Sequence, residues 1–433
     1  MPRPKTTLTF PIERTTLDNG LRVVMAPDRS SPAVMIAAYY DVGFRSEPQG
    51  RTGFAHLFEH LMFEGSVSLE KGMHDRLVNG NGGIMNGSTR NDFTNYFEIM
   101  PSNALELGLF LEADRMRGLR LTEQNLAAQV AVVKEEVKVN VMNQPYGGFP
   151  WLFLPMALFE TWPNAHNAYG EFADLDAANL DDTVAFFDRY YAPGNAVLAL
   201  TGDIDPDATM RLIEQHFAGI PARDVPPTVD ASEPVPSSER REQRVDPRAP
   251  QPAIALAYRT PDPITAFDEY CALILAGSIL GDGDASSLHQ RLLKRDRLAS
   301  HLSAEVGLVA GTFEVRGPSM FQIAVWHPAE TDAEQITKAI DEEIDVLADG
   351  VDAEELDRFR NAYLADLLGA IDNLMARGML VAATEQQRGR AELINEIPAA
   401  LAAVTPEQVA EVARTWLRPH QRALLEWQAG GGR

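Results

Sequence analysis

Cysteine is almost absent: the 433 residues hold one, Cys271. That excludes an internal disulfide and any thiolate zinc cluster, and with them a secreted disulfide scaffold. Basic residues are also scarce, 38 Lys and Arg against 62 Asp and Glu, for a formal net charge of −24. Nucleic-acid and anionic-membrane binders use Lys and Arg to displace counterions, so this balance argues against both and leaves cationic partners open. No apolar run of the signal type follows the basic residues of MPRPKTTLTFPIER, and the expected location is cytoplasmic. The longest uncharged stretch, 139–159, is long enough for a membrane span. Asn140, Asn143, Gln144, Pro145, Gly147, Gly148, Pro150 and Pro155 interrupt it. Lipid would leave those breakers and amides unsatisfied, so the stretch reads as a helix end followed by a buried loop, with no membrane span.

What is present is the composition of a globular protein, 45% hydrophobic and 23% charged, with length for several domains. The segment 220–252 is rich in Pro, Ser and charge and poor in apolar residues, the make-up of a linker. The expected organisation is a first domain over 1–222, a linker over 223–250 and a second domain over 251–433. Each half opens alike, with an apolar strand (32–42 and 253–258), a polar loop, and a helix (from Gly53 and from Ala266). Each closes on an apolar strand, 196–201 and 423–427, so the halves look duplicated. Leu17-Asp18-Asn19-Gly20-Leu21 is a hairpin signal, with Asn-Gly suited to a type I′ turn. A strand is expected over 93–99, and helices over 104–118, 123–143, 332–347 and 353–368. Strands and helices mix without regular alternation, so the fold class is α+β, two mixed α/β halves.

The chemistry concentrates in GFAHLFEHLMF. His56 and His60, four apart on a helix, share a face and can converge on one ion. Two imidazoles suit Zn²⁺, and a catalytic site adds a third protein ligand and leaves one position for water. Glu59 lies beside them, placed to take a proton from that water, in the order of an inverted H-x-x-E-H zinc motif. The bland alternative is a pair of helix histidines satisfied by hydrogen bonds. A third ligand is offered by Glu135 or Glu136 on the helix 123–143. Adjacent residues diverge by about 100°, so only one can face the site. Val132, Val133 and Val137 mark the apolar face, and spacing leaves the choice open. Gly80, Gly82 and Gly83 suggest a phosphate loop, but no G-K-[ST] follows. His74, His166, His216, His289, His301, His327 and His420 lack ligand spacing, and 151–159 reads as domain packing.

HLFEH, NGNGGIMNGSTRNDFTNYFEIM, LFLEADRM, VVKEEV and FFDRYYAPGNAVLALTGDID, in that order over about the first 205 residues, resemble the pitrilysin or M16 family of zinc metallopeptidases. The second half resembles the family's second domain more loosely. The resemblance implies two homologous domains, each an antiparallel-rich sheet packed against helices, together forming half of a clam-shaped peptidase chamber. It selects Glu136, closing the V-V-x-x-E block 76 residues after His60, as third ligand of one Zn²⁺ per chain, with Glu59 as general base and Glu135 as a solvated neighbour. It makes 84–89 an exposed strand edge that pairs with extended peptide, Asn86, Gly87 and Ser88 being the residues beside the substrate. Asp92 and Asp114 take supporting roles.

Two departures matter. The family often carries a second Glu seven residues before the third ligand, and this chain has Gln129 there, an uncharged support for the site. The second domain commonly carries an Arg and a Tyr that hold the substrate; in SSLHQRLLKRDRLASHLS, Leu293 and Ser300 stand at those positions. Arg291, Lys294, Arg295 and Arg297 nearby read as helix charges. The resemblance therefore implies a zinc-dependent endopeptidase subunit working as a heterodimer with a homologous chain that lacks H-x-x-E-H and supplies the Arg/Tyr pair. A homodimer is the fallback, and a non-catalytic scaffold or peptide-binding subunit of the same fold is the alternative function.

Overall fold

Two sheets organise the computed structural model, which describes residues 9–430. In the first half the strands are β1 (Glu13–Thr16), β2 (Arg22–Pro27), β3 (Ala33–Tyr40), β4 (Ile84–Thr89), β5 (Thr94–Pro101) and β6 (Ala196–Gly202). In the second they are β7 (Arg240–Asp246), β8 (Ala253–Arg259), β9 (His301–Val306), β10 (Met320–Trp326) and β11 (Arg422–Ala429). The first sheet runs β1-β2-β6-β3-β5-β4 and the second β7-β11-β8-β10-β9. Only β2 with β6, and β7 with β11, pair in parallel; the other pairs are antiparallel. From β2 and β7 onward, order and direction repeat strand for strand, so the duplication read from the sequence is present in the topology. Among the described residues no single helix is long and apolar enough to cross a membrane.

Three local expectations change. The segment expected as a linker includes β7, whose RREQRVD carries no apolar alternation. It is an edge strand held on one side by β11, and exposure lets it keep its charges. The hairpin between β1 and β2 forms, but through a longer connection than a two-residue type I′ turn. Gly20 alone of the Asn-Gly pair takes a left-handed backbone, φ 89°, and Gly20 N–H donates to Leu17 O. Asn19 instead spends its amide on the carbonyls of Phe217 and Ile220. The helix expected over 123–143 ends at Val137 and widens into a π-turn, Lys138–Met142.

By contacts the chain forms two units that differ from its two halves. The first comprises 1–134, 169–229 and 368–398, the second 135–168, 230–367 and 399–433. The helices that build the first are α1 (Phe54–Leu61), α2 (Met73–Gly80), α3 (Leu105–Arg117) and α4 (Glu123–Val137). The boundary falls inside α4, after Lys134, and the helix itself is continuous to Val137. One face of the first sheet packs Val34, Ile36, Ala38, Tyr40 and Tyr96 against α1 and α3. The other is covered by the helix Leu374–Arg388, which Arg377 pins to Asp28 at 2.6 Å. Bare Gly378 lets it close on Met35, whose Sδ would stand 2.3 Å from an added Cβ. In the second unit, α5 (Phe153–Leu158) does the equivalent: Leu154 and Leu158 pack with Phe149 and Phe159 on the alanines of β8, 253, 255 and 257. The packing expected of 151–159 is therefore found on the second sheet.

Two features set the position of α1. Glu47 accepts from the N–H groups of Gly53 and Ala55 at 2.9 and 2.8 Å, filling orphan donors and placing a carboxylate at the positive end of the helix. Gly53 and Gly170 then meet backbone to backbone. A Cβ on Gly170 would lie 2.6 Å from Gly53 Cα and 2.7 Å from Thr52 O, at φ +83°. Neither clash can be relieved by turning a side chain.

Beneath β4 and β5 lies a buried polar group, His74 on α2, Glu98 on β5, and Glu112 and Arg115 on α3. His74 Nε2 is 2.7 Å from Glu98 Oε1. Arg115 pairs with Glu112, stands 3.7 Å from Glu98, and lies 4.4 Å over the Tyr96 ring. Burial, resisted by Arg115, pushes the Glu112 carboxyl up to about 8. It also raises Glu98. Burial and Arg115 push His74 down to about 3. One proton held by the carboxyl pair leaves the group neutral beside the guanidinium. In the unfolded chain Glu112 loses its proton near 4.5, so its contribution to stability is full below that pH and is lost as pH rises through about 8. His74 acts oppositely, losing stability as pH falls from 6.5 toward about 3.

Two outcomes are expected. Gly170→Ala should destabilise the fold by about 1–3 kcal/mol in chemical denaturation, from the strained backbone alone. Between about pH 6.5 and pH 8 the melting temperature of the wild type should fall, and Glu112→Gln, which has no proton to lose, should flatten that decline.

Candidate metal centre

Phe54, Ala55, His56, Leu57, Phe58 and Leu61 of α1 are all buried. Phe58 stacks on Phe186 and Tyr191, with ring centroids at 4.6 and 5.4 Å. On this fixed cylinder His56 and His60 stand ring to ring at 4.9 Å and 87°. Tyr169 meets His56 edge-on at 5.1 Å. Glu136, in the last turn of α4, completes a group in which one nitrogen from each histidine and a carboxylate oxygen all lie within 4.8 Å of one another. His56 is buried, and His60 and Glu136 are half-buried. Glu135 points elsewhere and pairs with Lys138 at 3.1 Å. The inward face of α4 is set by the buried Val133 and Val137, while Val132 is 47% exposed. Glu135 lies about half a turn from that face and Glu136 beside it.

Glu59 is held by β4. Thr89 Oγ1 donates to its Oε2 at 2.7 Å, and bare Gly87 faces its stem. Alternation sends Asn86 and Ser88 to the opposite face of the strand. Asn86 is exposed and accepts from the N–H of Gly87, and Ser88 donates to Asn95. Gln129 donates to Glu64 Oε1 at 2.6 Å, a carboxylate that Lys71 also holds at 2.7 Å. Asp92 forms a buried pair with Arg45 at 2.8 Å, and Asp114 accepts from Ser66 and Ser68.

In the second unit, Arg291 is engaged by Asp296, Glu342 and Glu343, and Arg295 by Asp296 and Glu343. Ser300 Oγ donates to Trp326 O and accepts from Gln251. His166 stacks on Trp162, His301 meets Trp326 at a tilt of 47°, and His327 bonds the Pro328 carbonyl. His74, read as isolated in sequence, is the surprise: it meets Glu98 and Glu112 within 4.8 Å. That group differs from the first in containing Arg115, whose charge repels a cation, and its chemistry is that of a held proton. Thr89, Tyr169 and Glu64 were not singled out in the sequence. Thr89 lies in the expected strand edge, and its two-residue spacing from Gly87 could have placed it on the Glu59 side.

Similarity to known proteins bears on the family and the fold. Residues 22–147 match Insulinase (Peptidase family M16), and residues 177–363 match the Peptidase M16 inactive domain. The chain is 29% identical to the zinc protease PqqE of Helicobacter pylori over 367 residues, 83% of this chain and 80% of the relative. A crystal structure of a protease from Helicobacter pylori superposes with a TM-score of 0.90 at 25% identity, over 97% of this chain and 100% of that one. The first half of the periplasmic protease PqqL from Escherichia coli shares the fold, with a TM-score of 0.78 at 18% identity over 98% and 94% of the two chains. Both segments of sequence and the whole fold thus lead to one family, and this chain belongs to the M16 peptidases.

Proposed function

We propose that this chain is the zinc-bearing subunit of an endopeptidase that hydrolyses unstructured peptides. The reading rests on one observation: His56, His60 and Glu136 bring their donor atoms within 4.8 Å of one another, with Glu59 on the same helix. Two imidazoles and a carboxylate at this spacing fit one Zn²⁺, with a fourth position for water. When bound, the ion would acidify that water and polarise the scissile carbonyl. Glu59 takes the water proton and passes it to the leaving amine. Tyr169 limits the swing of the His56 ring. Among the described residues β4 pairs on one side only, with β5. Its outer edge, along Asn86, Gly87 and Ser88, is offered to an extended peptide, which takes the Gly87 N–H over from the Asn86 side chain and is held by main-chain bonds with little demand on its sequence.

Leu293 and Ser300 cannot do the work of an Arg and a Tyr, and Arg291 and Arg295 are already engaged in ion pairs. We therefore assign substrate holding to a homologous M16-like partner that carries the pair and lacks the zinc motif. Similarity to the first half of a longer protease supports a chain of this length acting as one half of an assembly.

Metal analysis and peptide cleavage test the reading together. Wild type should carry about one zinc per chain. Glu59→Gln should keep the zinc and lose roughly 10²–10⁴-fold in cleavage rate, whereas His56→Ala should lose the metal. Wild type without zinc and without cleavage would favour the scaffold alternative, and Glu59→Gln at full rate would remove Glu59 as the general base. Mixing with the partner should raise cleavage above that of the isolated chain, and a fully active isolated chain would refute the heterodimer.

A further inference from the structure

Strand β4 touches Glu59 at two places two residues apart. At Gly87 an added Cβ would stand 3.3 Å from Glu59 Cγ and 3.2 Å from the Tyr96 ring, so the missing side chain lets the strand lie against the stem of the glutamate. At Thr89 the hydroxyl, on a residue 4% exposed, donates to Glu59 Oε2 at 2.7 Å. A hydroxyl has one proton to give. The Ala55 carbonyl is a second acceptor in reach, but at 3.5 Å, and the shorter, charge-assisted bond takes the proton. Thr89 is itself fixed, as the last residue of β4 opposite Thr94.

We infer that Thr89 is a positioning residue for the general base, tying the carboxylate of Glu59 to the strand that receives the peptide. The inference rests on the function proposed above, in which Glu59 moves the proton. A glutamate has three rotatable side-chain bonds, and a carboxylate free to turn spends most of its time out of line for proton transfer. Packing at Gly87 limits the stem, and the hydrogen bond at Thr89 limits the last rotation. Both restraints come from one strand, so base and peptide are placed in a single frame. The bond acts on the turnover step and leaves peptide affinity to the strand backbone.

Thr89→Val preserves shape and β-propensity and removes the donor; Thr89→Ser preserves the donor and removes a methyl group. Both would be assayed in the zinc-loaded chain with its partner, measuring kcat, KM, zinc content and melting temperature. Thr89→Val should lower kcat roughly tenfold to a hundredfold, the loss of one hydrogen bond to a charged group, with KM and zinc content little changed. Thr89→Ser should recover most of the lost rate. An unchanged kcat in Thr89→Val, a Thr89→Ser variant as slow as Thr89→Val, or loss of zinc in Thr89→Val would overturn the inference. Glu59→Gln separates the two levels. If it abolishes cleavage while Thr89→Val leaves kcat unchanged, only the positioning role fails; if it leaves cleavage intact, the function itself fails.

Discussion

An eight-residue helix has almost no stability of its own in water, yet α1 carries both histidines and the glutamate of the candidate centre. Everything around it compensates. Glu47 fills its first amides, the Gly53–Gly170 contact fixes its entry, Phe186 and Tyr191 clamp Phe58, and β4 holds Glu59. Six of its eight residues are buried, so it is placed by its surroundings like a part in a mould. The four-residue spacing of His56 and His60 has chemical meaning only because the helix cannot rotate or fray.

Two groups of similar composition show how little separates a cation site from a proton site. His56, His60 and Glu136 present two imidazoles and one carboxylate at a half-buried position; His74, Glu98 and Glu112 present one imidazole and two carboxylates in the interior. Donor distances alone would equate them. Arg115 decides, because a guanidinium in contact with the carboxylates already supplies the positive charge. What remains for the second group is one proton and a stack on Tyr96, the ring that also borders Gly87. That buried group therefore lies in the floor under β4.

The parts legible in the sequence were those carried by local pattern. Strand and helix periods located most elements, and the i, i+4 histidines pointed to one ion. The repeated strand–loop–helix order in both halves matches the repeated sheet order. Less legible were features whose partners lie far apart. β7 has a charged sequence and exists because β11, some 180 residues later, accepts it. Asn19 gave a sound hairpin signal but answers to carbonyls near residue 220. Residue spacing by itself left Glu135 and Glu136 open, a choice the family resemblance made; its physical reason is that Val133 and Val137, without Val132, define the inward face. His74 looked isolated because its partners are spread over 98, 112 and 115 on two other elements.

The interleaving of the two units has a consequence in time. The sheet that bears the candidate centre stays bare on one face until the helix Leu374–Arg388 arrives. During synthesis from the N-terminus, most of the chain must leave the ribosome before that apolar face is covered. The first unit has its strands early and its lid late, and in the interval it displays Met35 and Tyr39, residues that end up fully buried. Such a chain is exposed to misassembly for longer than one built from two successive halves. That exposure follows from the order of its segments, with no reference to the strength of any single contact.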